Sequence, residues 1–150
     1  MLASITMFGF FLLVAMMSSA STGEIPVEIR SKRDEKEKAL LSASKEGNLA
    51  VVKALLENDT DPNIARSDTG ETPLYRAVCN YNHKMVELLL SKGADPNIAR
   101  SDTGETPLYS AAYNNKMEMV ELLLSKGANP NMARSDTGET PLYRAVCNYN

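Results

Sequence analysis

The sequence has no tryptophan, one histidine and two cysteines among its 150 residues. Two cysteines are too few for a disulfide-stapled scaffold, and one histidine cannot supply a set of ligands at metal-site spacing. The 16 Lys and Arg residues stand against 19 Asp and Glu, for a formal net charge of -3. This balance lacks the basic excess of a nucleic-acid binder, so we expect no nucleic-acid partner. The apolar share of 43% is normal for a folded domain and excludes a wholly disordered chain.

Polar residues are nearly missing from one N-terminal stretch, Ile5 to Met17, and small residues follow it at Ser18 to Ser21. An apolar core of that length with a small-residue exit is typical of a secretory signal peptide. The stretch is short for a membrane span, which needs about 20 residues. We therefore expect residues 1–20 to be a signal peptide that is cut after Ala20, and the protein to be secreted.

No Lys or Arg precedes this apolar core, so only the α-amino group supplies positive charge there. The alternative is an uncleaved membrane anchor over residues 1–20, with Arg30, Lys32 and Arg33 on the cytoplasmic side. A mis-assigned start of the chain is a third interpretation.

Residues 21–33 form a polar segment that is predicted to be a linker or a propeptide. It ends in Arg30-Ser31-Lys32-Arg33, which resembles the Arg-x-Lys-Arg site of furin-like proprotein convertases. Such a protease favours several basic side chains on an extended, exposed segment. One hypothesis is therefore processing after Arg33, and the other is a solvated run of charge beside a folded domain.

The rest of the chain is built on a repeat. Ala65–Asn82 recurs without change at Ala133–Asn150, and a divergent copy begins at Ala99, so corresponding positions are 34 residues apart. A fixed period in this range predicts a solenoid. Because two short helices cannot bury their apolar faces alone, each unit must stack on its neighbours.

Each unit contains the signals for two helices. Thr72-Pro73 is a helix start, because the threonine oxygen can cap a free amide and proline suits the first helical position. An apolar face follows at Leu74, Ala77 and Val78. A second helix, with five apolar residues between positions 85 and 90, ends at Lys92-Gly93.

The two cysteines, Cys79 and Cys147, occupy the same position in units two repeats apart. Helical layers lie roughly 10 Å apart, which puts their α-carbons about 20 Å from each other. A disulfide needs them within about 7 Å, so we expect no intramolecular disulfide. Free thiols that pack as small apolar groups are the expected state, and an intermolecular bridge is the alternative.

The motif Gly-Glu-Thr-Pro-Leu-Tyr at residues 70–75, followed by Val-Glu-Leu-Leu-Leu-Ser-Lys-Gly-Ala-Asp-Pro-Asn at 86–97, resembles the ankyrin repeat. The resemblance extends from Lys38 to Asn150. It implies an all-α solenoid of stacked helix-turn-helix pairs with β-hairpin-type fingers. The predicted units are an atypical N-capping repeat at 34–65, full repeats at 66–99 and 100–133, and a truncated repeat at 134–150.

Three features depart from the family pattern. The period of 34 exceeds the usual one by a residue, which falls in the finger. Tyrosines replace the usual histidine at positions 75, 109 and 143. The glycine expected between the helices is Tyr81 in one repeat and Asn115 in the next, and asparagine tolerates a left-handed backbone far better than tyrosine does.

Both ends of the array are unusual. The capping repeat ends in Asn58-Asp59-Thr60, a sequon that predicts glycosylation at Asn58 in a secreted chain, with a chance match as the alternative. The last repeat contains a first helix only, so Leu142, Ala145 and Val146 have no following layer to cover them. We expect either a fragment of a longer array or a partner at that end.

No residues of the repeats predict catalysis, a metal site or a cofactor. The Asp-Thr-Gly triplets that begin at Asp68, Asp102 and Asp136 resemble the aspartic-protease motif, but such enzymes need two carboxylates that share a proton. Successive triplets lie about 10 Å apart by layer spacing, so each is interpreted as an Asp-Gly turn. His83 begins a second helix and is expected to be partly exposed.

Partners of ankyrin repeats usually lie across the concave face formed by the fingers and the first helices, hereafter the finger face. The resemblance therefore implies a protein partner, and Tyr113, flanked by arginines, is the best candidate for a binding hot spot. The candidate contact residues are Arg66, Asp68, Glu71, Arg76, Arg100, Asp102, Glu105, Ser110, Tyr113, Asn114, Arg134, Asp136, Glu139 and Arg144.

The sequence favours a non-enzymatic protein-binding module that is secreted. A second hypothesis is a secreted effector or toxin precursor activated by cleavage after Arg33, since the layout is similar to that of some spider-toxin precursors, which are far longer. A third is an N-terminal fragment of a larger ankyrin-repeat protein, an enzyme or a channel, in which the array is a targeting arm.

Overall fold

The computed structural model describes residues 27–148. The helices in that range are α1 (Val27–Glu46), α2 (Leu49–Glu57), α3 (Pro73–Cys79), α4 (His83–Ser91), α5 (Pro107–Tyr113), α6 (Met117–Ser125) and α7 (Pro141–Cys147). Over the same residues there is no strand, and the predicted all-α repeat fold is confirmed. The predicted signal peptide and its cleavage after Ala20 lie outside the described residues.

Helix α1 corrects the prediction of an extended linker up to residue 33. Arg30, Lys32 and Arg33 are exposed residues of a helix that begins at Val27. Between Pro26 and Gly47 the sequence has neither proline nor glycine and consists mainly of good helix formers. Glu28 also precedes Lys32 by one helical turn, a favourable spacing for opposite charges. Among the described helices, none has the length and apolar character needed to cross a membrane.

The repeats all lie in the compact unit that begins at Glu37. Their first helices, α3, α5 and α7, start as predicted. Thr72 Oγ1 accepts a hydrogen bond from the Tyr75 amide at 3.1 Å, and each first helix opens on a proline. Thr106 and Thr140 cap α5 and α7 in the same way, at 3.1 and 3.2 Å. The Thr-Pro signal therefore fixes where α3, α5 and α7 begin.

The turn into each second helix requires a left-handed residue. Gly47, Tyr81 and Asn115 occupy equivalent places with φ of 75°, 53° and 54°. Tyr81 thus adopts the conformation that its residue type disfavours. The Tyr81 amide donates to the Val78 carbonyl at 3.0 Å, and the Lys116 ammonium lies 4.3 Å from the centre of its ring. These contacts hold the tyrosine in a turn that glycine forms in the first repeat.

One apolar core runs through the repeats. First helices contribute Leu74 and Leu108, and second helices contribute Met85 and Met119, all at most 2% exposed. Helix α5 packs between α3 and α7, and the second helices α4 and α6 pack on α3 and α5, the first helices of their own repeats. The side chains of one layer therefore cover those of the layer before it.

Helix α7 has the sequence of α3 in a different environment. Leu74 and Val78 are 1% and 0% exposed, whereas Leu142 and Val146 are 69% and 56% exposed. Ala145 is half-buried. The exposure of Leu142 and Val146 agrees with the prediction that no layer covers them.

Candidate functional site

Each finger is a tight turn closed by main-chain hydrogen bonds. The fingers are residues 66–71, 100–105 and 134–139. The Arg66 amide donates to the Glu71 carbonyl at 3.0 Å, and the Gly70 amide donates to the Arg66 carbonyl at 2.8 Å. The same pair of bonds closes the fingers that begin at Arg100 and Arg134. The fingers therefore have hairpin hydrogen bonding, although no described residue in them is a strand residue.

A main-chain hydrogen bond joins each finger to the next. The Ser101 amide donates to the Thr69 carbonyl at 3.0 Å, and the Ser135 amide donates to the Thr103 carbonyl at 3.0 Å. Gly70 lies at this contact with φ of +71°, and a Cβ there would sit 2.4 Å from the Ser101 nitrogen. Glycine is therefore required both by the backbone conformation and by the neighbouring finger.

Every finger arginine pairs with an aspartate of its own finger. The Nη2 atoms of Arg66, Arg100 and Arg134 lie 2.7, 2.5 and 2.6 Å from carboxylate oxygens two residues further on. The hydrogen bond from Arg100 lowers the pKa of Asp102 to about 2. The charges of the finger arginines and aspartates are thus neutralised in pairs within each finger.

A tyrosine, an arginine and a glutamate connect each repeat that begins at Arg66 or Arg100 to the repeat after it, and we call this set a joint triad. In the first triad the Tyr75 hydroxyl donates to Glu105 at 2.9 Å, and the Arg100 guanidinium lies 5.5 Å from the centre of the Tyr75 ring. In the second triad the Tyr109 hydroxyl donates to Glu139 at 2.6 Å, and Arg134 lies 5.2 Å from the Tyr109 ring.

The finger glutamates bind inside these joints. Glu71 accepts from Arg100 at 3.2 Å and also pairs with Arg76, while Glu105 lies 3.5 Å from Arg134. Glu71 is 7% exposed and Ser110 is 3% exposed. The prediction that Glu71 and Ser110 lie on the binding surface is therefore wrong. Arg66, Arg76 and Arg100 all lie within ion-pair distance of the glutamate. The short serine side chain faces Cys79, whose Sγ is 3.4 Å away.

Tyr113 remains accessible, with 48% of its surface exposed. Its ring stacks on Tyr109 with the ring centres 6.4 Å apart. The Arg144 guanidinium lies 4.4 Å from the centre of the Tyr113 ring. The three aspartates of the fingers and Asn114 are exposed as well. Whether these residues bind a partner stays a prediction.

Tyr75, Tyr109 and Asn97 hold neighbouring repeats together, a role that was not predicted from the sequence. The hydroxyls of Tyr75 and Tyr109 reach a glutamate 30 residues further on. Asn97 contacts the next repeat twice, since its Nδ2 donates to the Gly127 carbonyl at 3.1 Å and its Oδ1 accepts from the Asn129 amide at 2.7 Å. Their shared period of 34 was visible, but nothing in it identified the partner atoms.

The remaining candidate residues have plain environments. His83 is exposed at the start of α4. Asn58 is exposed at the end of α2, where its side-chain Nδ2 donates to the Ala54 carbonyl at 2.7 Å. Glycosylation of Asn58 stays a prediction. Cys79 is half-buried and Cys147 exposed, and both are free thiols. Residues 27–148 contain no group of three or more His, Cys, Asp or Glu side chains able to hold a metal ion.

Comparison with known proteins matches one family. The family model described as "Ankyrin repeats (3 copies)" aligns with residues 10–100 and 97–150. No curated protein matches the chain.

Proposed function

Because the chain belongs to the ankyrin-repeat family, we propose that its finger face binds another protein and that the protein acts through this binding rather than through catalysis. The observation that carries the proposal is the fixed geometry of the fingers. Each is closed by its own hydrogen bonds and tied to the next one through Thr69–Ser101 or Thr103–Ser135. A surface that is already ordered loses less conformational entropy on binding.

The accessible contacts on this face support a centre at Tyr113. A large aromatic ring supplies apolar area with few rotatable bonds, as hot-spot residues do. Tyr109 and Arg144 pack against its ring and hold it in place. The aspartates of the fingers are also exposed and offer polar groups to a partner.

Site-specific crosslinking tests this proposal. The photoreactive residue p-benzoylphenylalanine replaces Tyr113 in one variant of the full chain and Glu121, which is exposed on the second helix α6, in the control. Irradiation in the natural source cells should give a discrete crosslinked protein from position 113 and none from position 121. Crosslinks from position 121 alone, or the same products from both positions, would contradict binding at the finger face.

We also propose that the protein is secreted, on the support of the apolar stretch Ile5–Met17 and the small residues after it. The precursor hypothesis has less support, because Arg33 lies within α1 and a convertase would have to unwind that part of the helix. Sequencing the N-terminus of the natural protein separates the two. Ser21 at the N-terminus indicates plain secretion, Asp34 indicates processing after Arg33, and Met1 contradicts both.

A further inference from the structure

One arginine of the finger face differs from all the others. Arg66, Arg76, Arg100 and Arg134 each pair with at least one carboxylate. Arg144 forms no ion pair with any carboxylate in residues 27–148. Its Nε is buried, and no acceptor in that range hydrogen-bonds to it. Glu139 acts on this guanidinium only from beyond ion-pair distance. A half-buried guanidinium with an unsatisfied Nε and no carboxylate in direct contact is costly, so it favours an anionic partner.

The lack of an ion pair does not come from the local sequence of Arg144. Arg76 lies in an identical segment, 65–82, and it pairs with Glu71 of its own finger. The glutamate equivalent to Glu71 is Glu139, which instead accepts the Tyr109 hydroxyl at 2.6 Å. The residue equivalent to Tyr109 before Arg76 is Leu41, which has no hydroxyl to donate. The Tyr109 hydroxyl of the preceding repeat therefore occupies one oxygen of the carboxylate that would otherwise face Arg144, and Glu139 acts on Arg144 only at longer range.

The preceding repeat also determines where Arg144 lies. Tyr113 attracts the guanidinium to its ring face, 4.4 Å away. The equivalent residue before Arg76 is Lys45, whose charge has the same sign as arginine. Asn148 donates to the Ala112 and Tyr113 carbonyls at 3.2 and 2.8 Å, and this fixes α7 against the end of α5. Arg144 and Tyr113 thus form a supported cation–aromatic platform on the finger face.

We propose that this platform binds a carboxylate side chain from an acidic segment of a protein partner, a specific form of the binding proposed above. A guanidinium stacked on a ring can still present N–H groups at its edge to a carboxylate. A single arginine matches one carboxylate, whereas phosphorylated motifs are usually met by clusters of arginines. The neighbouring arginines are already neutralised, and the finger of the same repeat carries Asp136 and Glu139, which disfavours a doubly charged group.

Selection from a random peptide library tests the proposal, with the exposed Lys84 of the second helix α4 as the control for loss of a positive charge. A phage-displayed library of random 12-residue peptides is panned on the immobilised full chain and on its R144Q and K84Q variants, after circular dichroism has verified that all three fold. Peptides selected by the wild-type chain and by K84Q should be enriched in Asp and Glu over the input library. That enrichment should be lost with R144Q.

Titration of the strongest acidic peptide then measures the contact. A charge-assisted hydrogen bond of this type corresponds to a loss of about 10-fold or more in affinity. The same loss is expected for R144Q with the acidic peptide and for the wild-type chain with a peptide whose Asp and Glu are changed to Asn and Gln. K84Q should bind within about 2-fold of the wild-type chain.

The possible results separate this inference from the proposed function. The finger face could select peptides that are not acidic, or acidic peptides that R144Q binds equally well. Either result would contradict carboxylate binding by the Arg144–Tyr113 platform but not the proposal that the finger face binds a protein. If R144Q and K84Q lose affinity equally, the effect is not specific to Arg144, and the proposal that the Arg144–Tyr113 platform binds a carboxylate is again wrong. If the wild-type chain selects no peptide and position 113 gives no crosslink, both proposals are wrong.

Discussion

At the scale of single residues, the tyrosines at the histidine position of the family pattern have a clear role. Their hydroxyls extend across the joint between repeats and donate to a glutamate of the next finger. Tyr75 and Tyr109 are 4% and 1% exposed, so water has little access to these bonds. The hydroxyls of Tyr75 and Tyr109 therefore tie neighbouring repeats together.

Tyr109→Phe isolates that contact. The variant keeps the ring under Arg134 and loses only the donor to Glu139, so we expect the free energy of unfolding to fall by about 1 kcal/mol. Urea denaturation followed by circular dichroism measures the change. Tyr113→Phe is the control, because the Tyr113 ring is exposed, and an equal loss in both variants would contradict a role for the joint triad.

The same hydroxyls predict a dependence of stability on pH. Burial, followed for Tyr109 by the hydrogen bond to Glu139, raises the pKa of Tyr109, and burial also raises the pKa of Tyr75. A pKa raised in the folded state stabilises the fold below the unfolded value of about 10, and this stability is lost as pH rises through the folded pKa. Absorbance titration near 295 nm should show late-ionising tyrosines that are missing in a Tyr75→Phe, Tyr109→Phe double variant.

At the scale of the elements, the fingers depend on glycines in two separable ways. Gly70 and Gly138 have φ of +71° and +72° in identical sequences, but only Gly70 faces the next finger. Alanine at either position would have to adopt the left-handed backbone conformation, which is unfavourable for it. Only position 70 would also place a Cβ against the Ser101 amide, 2.4 Å away.

Comparing Gly70→Ala with Gly138→Ala measures the contact between fingers. Gly138→Ala should destabilise the fold by about 1–2 kcal/mol, the cost of the backbone conformation. Gly70→Ala should destabilise it by more, because the finger must also move away from Ser101. Thermal unfolding of the two variants measures the difference, and equal losses would mean that the fingers do not pack on each other in solution.

At the scale of the whole molecule, burial declines along the array. Leu74 and Leu142 lie in identical helices but are 1% and 69% exposed. Leu74→Ala should therefore lower the free energy of unfolding by about 2–5 kcal/mol. Leu142→Ala should lower it by less than about 0.5 kcal/mol. Urea denaturation of both variants tests this, and a large loss for Leu142→Ala would show that its helix is covered in solution.

The sequence predicted the architecture much better than the candidate site. Helices α3 to α7 could be predicted because their signals lie within short segments of sequence. These signals are the Thr-Pro starts, the apolar faces and the repeated period. The burial of Glu71 and Ser110 depends on side chains about 30 residues away in the sequence. The arginines at positions 76 and 144 lie in identical segments, but only Arg76 forms an ion pair within residues 27–148. Helix α1 extended further than predicted because nothing in residues 27–33 stops a helix.

The exact duplication of residues 65–82 at 133–150 also has a consequence for the folding pathway. Nothing within these segments tells the chain which copy belongs beside the capping repeat. The Asn80 side chain bonds to the Lys45 carbonyl, and the Asn148 side chain bonds to the Tyr113 carbonyl, so both copies recognise main-chain atoms that any neighbour offers. The order is then set by the connectivity of the chain, and during synthesis the earlier copy meets the capping repeat before the later copy has emerged from the ribosome.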